Sequence, residues 1–169
     1  MSGYDILTKR SSCRNFSNRP ISKDIIEKIA YAGHRAATAR NVQPWIFIAV
    51  TDAAARKSIK DMCPKNGPYI ELAPVCLCVF CENSTYYLED GSAATQNILN
   101  AAYSFGLGAV WVAGDKKDYA DDIRKFLNLP DNYKLISLIP IGYPATEQKL
   151  TERKPLTEVF YWEKYERTN

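Results

Sequence analysis

The stretch "HRAATARNVQPWIFIAVTD", residues 34–52, governs how the rest of the chain is read. Small residues end a helix on its left, and Trp45 opens an unbroken β-branched and aromatic run, WIFIAV, that reads as a buried strand. Between them, Asn41, Val42, Gln43, Pro44 and Trp45 place two amides, a proline and a tryptophan in five consecutive positions, more than a turn needs. Pro44 disfavours the helical region for its predecessor, so Gln43 is expected to be extended. Trp45 is expected to anchor the strand in the core.

Working outward, Ser22 can cap a helix whose Ile25, Ile26, Ile29, Ala30 and Gly33 share one face. Downstream, "DAAARKSIKDM" is a short helix capped by Asp52, "PKNGPY" is a loop, and "APVCLCVFC" is a second buried strand. "EDGSAATQNILNAAYSF" is a helix with acids in its first turn and Gly106 at a left-handed exit. Its Ala93, Ala94, Asn97, Ile98, Ala101 and Ala102 permit close packing, which marks it as central. "AVWVAG" is a short strand, "DKKDYADDIRKFLNL" an amphipathic helix ended before Pro130, and "KLISLIPIGYP" the third long apolar strand. Strands alternate with helices without a tidy βαβ repeat, which predicts an α+β or mixed three-layer domain. The tail carries Phe160, Tyr161, Trp162 and Tyr165, too apolar for water, and a second subunit is expected to cover it.

The 169 residues, 46% hydrophobic and 24% charged, suit one soluble domain, residues 1–169, without repeats or linkers. A net charge of +3 without a dense basic run argues against a nucleic-acid partner and suits a phosphate-bearing small molecule. The amino-terminal residues lack a signal-peptide apolar core, and no stretch approaches the roughly 20 apolar residues of a membrane span. A cytoplasmic location, with no membrane partner, is therefore expected. Of five cysteines, Cys76, Cys78 and Cys81 form "CLCVFC". Alternation within an apolar strand favours core packing over a metal site, which prefers C-x-x-C in loops.

Hydrolytic chemistry has little to work with. The only histidine is His34, there is no G-x-S-x-G, and "GLGAVWVAG" precedes a strand instead of following one as a dinucleotide fingerprint does. A cysteine–histidine pair and a cysteine-bound metal stay as lesser alternatives. What remains is cations and amides. Arg10, Ser11, Ser12 and Arg14 cluster in "KRSSCR", and Arg153-Lys154 forms a second cationic pair. Guanidinium forks and hydroxyls suit phosphate oxygens.

Four segments, in order, resemble the FMN-dependent nitroreductase family. "KRSSCRNFSNRPIS" is similar to its R-R-S-x-R-x-F opening, and "AATARNVQPWIFIAV" to its A-P-S-x-x-N-x-Q-P-W signature. "DGSAATQNILNAAYSFGLGAVWVAG" resembles its alanine-rich helix, G-L-G and short strand. "LIPIGYP" with "RKPLTEVFYWEKY" resembles its closing strand and tail.

The resemblance implies a three-layer α/β/α sandwich with a mixed, mainly antiparallel sheet, assembled as a domain-swapped homodimer with FMN at the subunit interface. It implies that Arg10, Ser11, Ser12 and Arg14 grip the phosphate and flavin edge, with Arg153 and Lys154 closing the phosphate end. Ala37, Thr38, Ala39 and Asn41 would reach the flavin from the partner subunit, and Ala113 and Gly114 would set backbone N–H groups against flavin N5. The loop "CPKNGPY" should touch the pyrimidine edge through Lys65, Asn66 or Tyr69. The usual Pro-Ser is Ala37-Thr38 here, so Thr38 keeps the hydroxyl. The expected reaction is ping-pong: NADH or NADPH reduces the flavin, then a nitroaromatic or quinone is reduced, with no side chain needed as acid or base. Dehalogenation, dehydrogenation and flavin modification on the same fold, or a non-catalytic flavin-binding module, are the alternatives.

Overall fold

The structure, a computed structural model, describes residues 2–65 and 67–165. Its centre is β2 (Val75–Glu82), buried along all but its last residue. Period-two alternation sends Val75, Leu77, Val79 and Cys81 into one apolar layer and Cys76, Cys78 and Phe80 into the other. The cysteines of "CLCVFC" are thus core side chains, as the alternation predicts. β1 (Trp45–Val50) and β5 (Tyr133–Gly142) flank β2. The sheet order is β1-β2-β5-β3, with β3 (Gly108–Ala109) and β4 (Val112–Ala113) both pairing β5. Every pairing of these strands is antiparallel; among the described residues the parallel component is a single bridge, Ser12 to Ala109.

On one face lie α2 (Lys23–His34) and α4 (Tyr87–Ser104); on the other, α3 (Ala53–Met62) and α5 (Ala120–Phe126). The caps are those expected. Ser22 accepts from the Ile25 N–H at 3.4 Å, and Asp52 from the Ala55 N–H at 2.8 Å. Helix α4 touches both central strands and α2, and ends at Gly106 with φ +74, where glycine carries no Cβ penalty.

Three readings of the sequence need correction. β1 is an edge strand, with Ile46 37% exposed, because an edge strand has a neighbour on one side only. "AVWVAG" is two short strands interrupted at Val110 and Trp111. An unpredicted helix, α1 (Gly3–Lys9), precedes the arginine cluster. Its signal is a capping box: Ser2 and Asp5 satisfy each other's backbone N–H groups at 2.9 and 3.1 Å.

No helix among the described residues is long and apolar enough to cross a membrane. The tail after β5 carries one 3₁₀ turn, Leu156–Glu158, and leaves its aromatic residues outside the core; Trp162 is 77% exposed.

Candidate functional site

Arg10 closes α1 in extended backbone, and the chain then runs along the β3 edge. The Cys13 N–H donates to the Ala109 carbonyl at 3.0 Å, which seats Ser12 beside β3. Nε of half-buried Arg10 is itself fully buried and has no hydrogen-bond partner among the described residues. Burial, and then the neighbouring charge of Arg153, push the Arg10 pKa down. A buried unmatched donor costs about 1–3 kcal/mol, and like charges add to it. An anion relieves both. Ser11 and Ser12 are half-buried nearby, Arg14 and Lys154 exposed. Arg14 lies over the Tyr69 ring, 5.9 Å from its centroid, which brings the loop after α3 to the same corner. Asn66 lies outside the described residues.

β3 and β4 present their backbone in strict alternation. The N–H groups of Val110 and Gly114 reach the carbonyls of Pro140 and Ile136 at 3.4 and 3.0 Å. Ala113, between two such positions, therefore faces its N–H away from β5, and its carbonyl accepts the Tyr119 hydroxyl. Of the two donors expected to face a flavin, only Ala113 has a free direction; the Gly114 N–H belongs to the sheet. Glycine is needed at 114 for another reason: a Cβ there would sit 2.5 Å from Leu135 Cγ and 3.0 Å from the Ile136 carbonyl carbon. Two clefts beyond this edge, of about 290 and 530 Å³, share Lys116, Lys117 and Asp118. Both mix cations with carboxylates, so neither has the one-signed lining that a phosphate group selects.

The second half of the predicted set lies on the connection from α2 to β1. Arg40, Asn41 and Gln43 all have positive φ, at +52°, +57° and +51°. Each such non-glycine residue costs of order 1–3 kcal/mol and persists only where its surroundings over-determine it. Those surroundings centre on Asp90, which in the sequence stands out only as a first-turn acid. Its Oδ2 accepts the Thr38 hydroxyl at 2.7 Å and its Oδ1 the Ala39 N–H at 3.0 Å. Thr38 Oγ1 in turn accepts the Gln43 N–H at 3.0 Å. Gln43 is thus not extended as Pro44 alone predicts, because its amide is drawn back to Thr38. The Thr38 hydroxyl, expected to serve a ligand, is engaged within the loop. Gln43 Nε2 donates to Asn41 Oδ1 at 3.1 Å and to the Asn41 carbonyl at 3.3 Å, which fixes the Asn41 amide. Small side chains, at exposed Ala37 and half-buried Ala39, leave the loop backbone open to approach.

The two halves do not meet. The Asn41 loop enters β1 opposite Cys81 and Lys134, whereas Ser12 and Ala109 lie across β5 at Ile141. Three strand spacings across and about seven residues along β5 separate them by on the order of 25 Å. Within one chain Asn41 and Arg10 cannot hold the same small molecule.

The nitroreductase family model matches residues 7–78 and 82–143, a span that contains the arginine cluster, the Asn41 loop and the β3–β4 edge. This chain is a member of the nitroreductase family. Among its oxidoreductase relatives, a candidate NADH dehydrogenase/NAD(P)H nitroreductase of Methanothermobacter thermautotrophicus is 34% identical over 151 residues, 86% of this chain and 78% of the relative. An iodotyrosine deiodinase of Nematostella vectensis is 26% identical over 193 residues, 92% of this chain and 73% of the relative. The crystal structure of a candidate NADH dehydrogenase/NAD(P)H nitroreductase of Bacteroides thetaiotaomicron superposes with a TM-score of 0.89 at 34% identity, over 95% of this chain and 96% of that one. An FMN-dependent nitroreductase of Clostridium difficile R20291 does so at 0.88 and 24% identity, over 96% and 99%. The sandwich with its mainly antiparallel sheet is thus the nitroreductase fold.

Proposed function

We propose that residues 1–169 form the single FMN-binding domain of a domain-swapped homodimer. It oxidises NADH or NADPH and passes the electrons to a small acceptor such as a nitroaromatic or quinone. The observation that carries this reading is the buried, unmatched Nε of Arg10 beside Arg153. A phosphate dianion is the counter-charge that this pair lacks, and charge-assisted bonds to it offset the desolvation of the guanidinium.

In this reading Arg10, Ser11, Ser12 and Arg14 bind the phosphate and the flavin edge, and Arg153 with Lys154 closes the phosphate end. Asn66 or its neighbours Lys65 and Tyr69 meet the pyrimidine edge. Ala113 offers its outward N–H to the ring; Gly114 keeps that segment close to β5. Ala37, Ala39 and Asn41 serve the flavin of the partner subunit, with the Thr38 hydroxyl engaged in holding their loop, since they lie too far from Arg10 to serve the same one. The exposed aromatic tail is the surface over which a second copy packs. Bound FMN supplies the two-electron chemistry, taken from NAD(P)H and returned to the acceptor in a ping-pong order. No side chain needs to move a proton, which suits a chain whose single histidine is engaged with Trp45.

The purified protein should be yellow, dimeric by sedimentation, and bleached anaerobically by NAD(P)H. A colourless protein that oxidises no NAD(P)H when FMN is added would sink the reading. The likeness to iodotyrosine deiodinases supports a second one, reductive dehalogenation on the same site. Presenting nitroaromatics, quinones and haloaromatics to the reduced protein distinguishes them. Bound FMN without turnover by either nicotinamide would instead mark a flavin-binding module.

A further inference from the structure

Asp90 is 4% exposed in a helix whose buried face is otherwise made of small and aliphatic residues and Thr95. Desolvating a carboxylate there is costly unless its charge is answered. Two things answer it. Asp90 sits in the first turn of α4, where the helix dipole favours an anion. Its two oxygens each accept one bond from the Asn41 loop, at 2.7 Å from the Thr38 hydroxyl and 3.0 Å from the Ala39 N–H. Because Thr38 Oγ1 also receives the Gln43 N–H, the chain of bonds runs Asp90–Thr38–Gln43–Asn41. It spans all three positive-φ residues, 40, 41 and 43. Nothing else in this network carries a charge, and a charged acceptor makes the stronger bond.

We propose that Asp90 is the positioning residue of the flavin loop. Its carboxylate holds residues 38–43 in the left-handed shape that presents Asn41, and Thr38 transmits this hold to Gln43 without itself serving the flavin. The inference rests on the flavin reading above for its consequence in binding. Its structural half, that Asp90 dictates the loop, stands on the hydrogen bonds alone.

The test uses full-length protein, with and without FMN, and the variants Asp90→Asn, Thr38→Val and Thr38→Ser, with the Asp90→Asn/Thr38→Val pair. Amide exchange at Ala39 and Gln43 is read by NMR, FMN affinity by flavin fluorescence, and the bound ring by its visible circular dichroism. Asp90→Asn and Thr38→Val should each speed exchange at Gln43 at least tenfold. Each should weaken FMN about tenfold and change the dichroism of the remaining bound flavin. Thr38→Ser should restore all three, and the pair should be no worse than the stronger single variant, because both break one chain of bonds. Unchanged exchange at Ala39 and Gln43 in Asp90→Asn overturns the inference whether or not FMN binds. So does full additivity of the pair. Accelerated exchange with FMN affinity within twofold of wild type removes the loop from the flavin site and overturns the positioning role. Wild-type protein that takes up no FMN overturns that role as well as the flavin reading, and exchange then judges the hold on the loop alone. Should Asp90→Asn not fold, the same measurements on Thr38→Val and Thr38→Ser decide between these outcomes.

Discussion

The indole N–H of Trp45 donates to Nδ1 of His34, 3.2 Å away, tying the first residue of β1 to the last residue of α2. The rings meet edge-on at 6.2 Å, and Trp45 stacks on Phe47 at 6.4 Å. The loop that carries Asn41 is thereby closed at its base by a part-buried contact, while Asn41 itself remains exposed.

Trp45→Ala and Asn41→Ala should therefore part company. Trp45 is 8% exposed, and truncating a buried tryptophan costs about 3–5 kcal/mol. For a domain of this size that lowers Tm by on the order of 10 °C. Asn41→Ala should cost about 1 kcal/mol, from alanine's poorer fit to φ +57, and weaken FMN about tenfold. Asn41→Asp, which tolerates the same backbone but removes the amide donor, should weaken FMN with a smaller change in Tm. Calorimetry and flavin titration of the three variants check this division. Equal losses of stability and of flavin in Trp45→Ala and Asn41→Ala would contradict it.

Arg10→Met removes an orphan buried donor and the repulsion from Arg153. The apoprotein should be as stable as wild type or more so, by up to about 1–3 kcal/mol, while FMN affinity falls by about two orders of magnitude for the loss of a charge-assisted contact. A variant that loses stability and keeps its flavin would place the phosphate elsewhere.

Gly114→Ala and Gly106→Ala should differ in size. At 114 the new Cβ meets Leu135 and the Ile136 backbone, and backbone cannot swing aside, so about 1–3 kcal/mol is expected. At 106 there is open space, and only the left-handed φ is penalised, by about 1–2 kcal/mol. Because the Gly114 N–H serves the sheet, the first substitution should lower thermal stability and expression before it alters flavin binding.

The buried thiols set an alkaline limit. Burial pushes Cys63 and Cys81 up to about 12 from the 9.0 of a free thiol. Above pH 9 the unfolded chain has given up these protons while the native chain keeps them, so native stability falls as pH rises from about 9 toward 12. Melting temperature against pH should bend downward through that window. A disulfide reagent at pH 8 should modify these thiols only as fast as the chain opens, and rapid native-state labelling would contradict their burial.

Periodicity and punctuation make most of the architecture legible. The 3.6-residue face of α2, its Ser22 cap, the Asp52 cap of α3 and the left-handed exit at Gly106 depend on neighbours within one turn, and each is where the local pattern puts it. The Ser2–Asp5 box of α1 is equally local, but that helix buries no residue and so shows no apolar period. Edge exposure of β1 is not readable, because a strand's neighbours come from distant sequence.

The site divides in the same way. The residue types in "KRSSCR" and "RNVQPW" determined by themselves that the chain carries guanidinium and hydroxyl groups suited to phosphate oxygens, and amides beside them; the flavin is what the resemblance implies. Only the tertiary structure decided that the two groups stand at opposite corners of the sheet, that the N–H of Ala113 and not of Gly114 is free, and that Gln43 turns left-handed. The reason is range. Side-chain chemistry and turn propensity are fixed by a residue and its neighbours, whereas the bond from Asp90 to Thr38 crosses 52 positions of the chain and exists only once α4 has packed on the sheet.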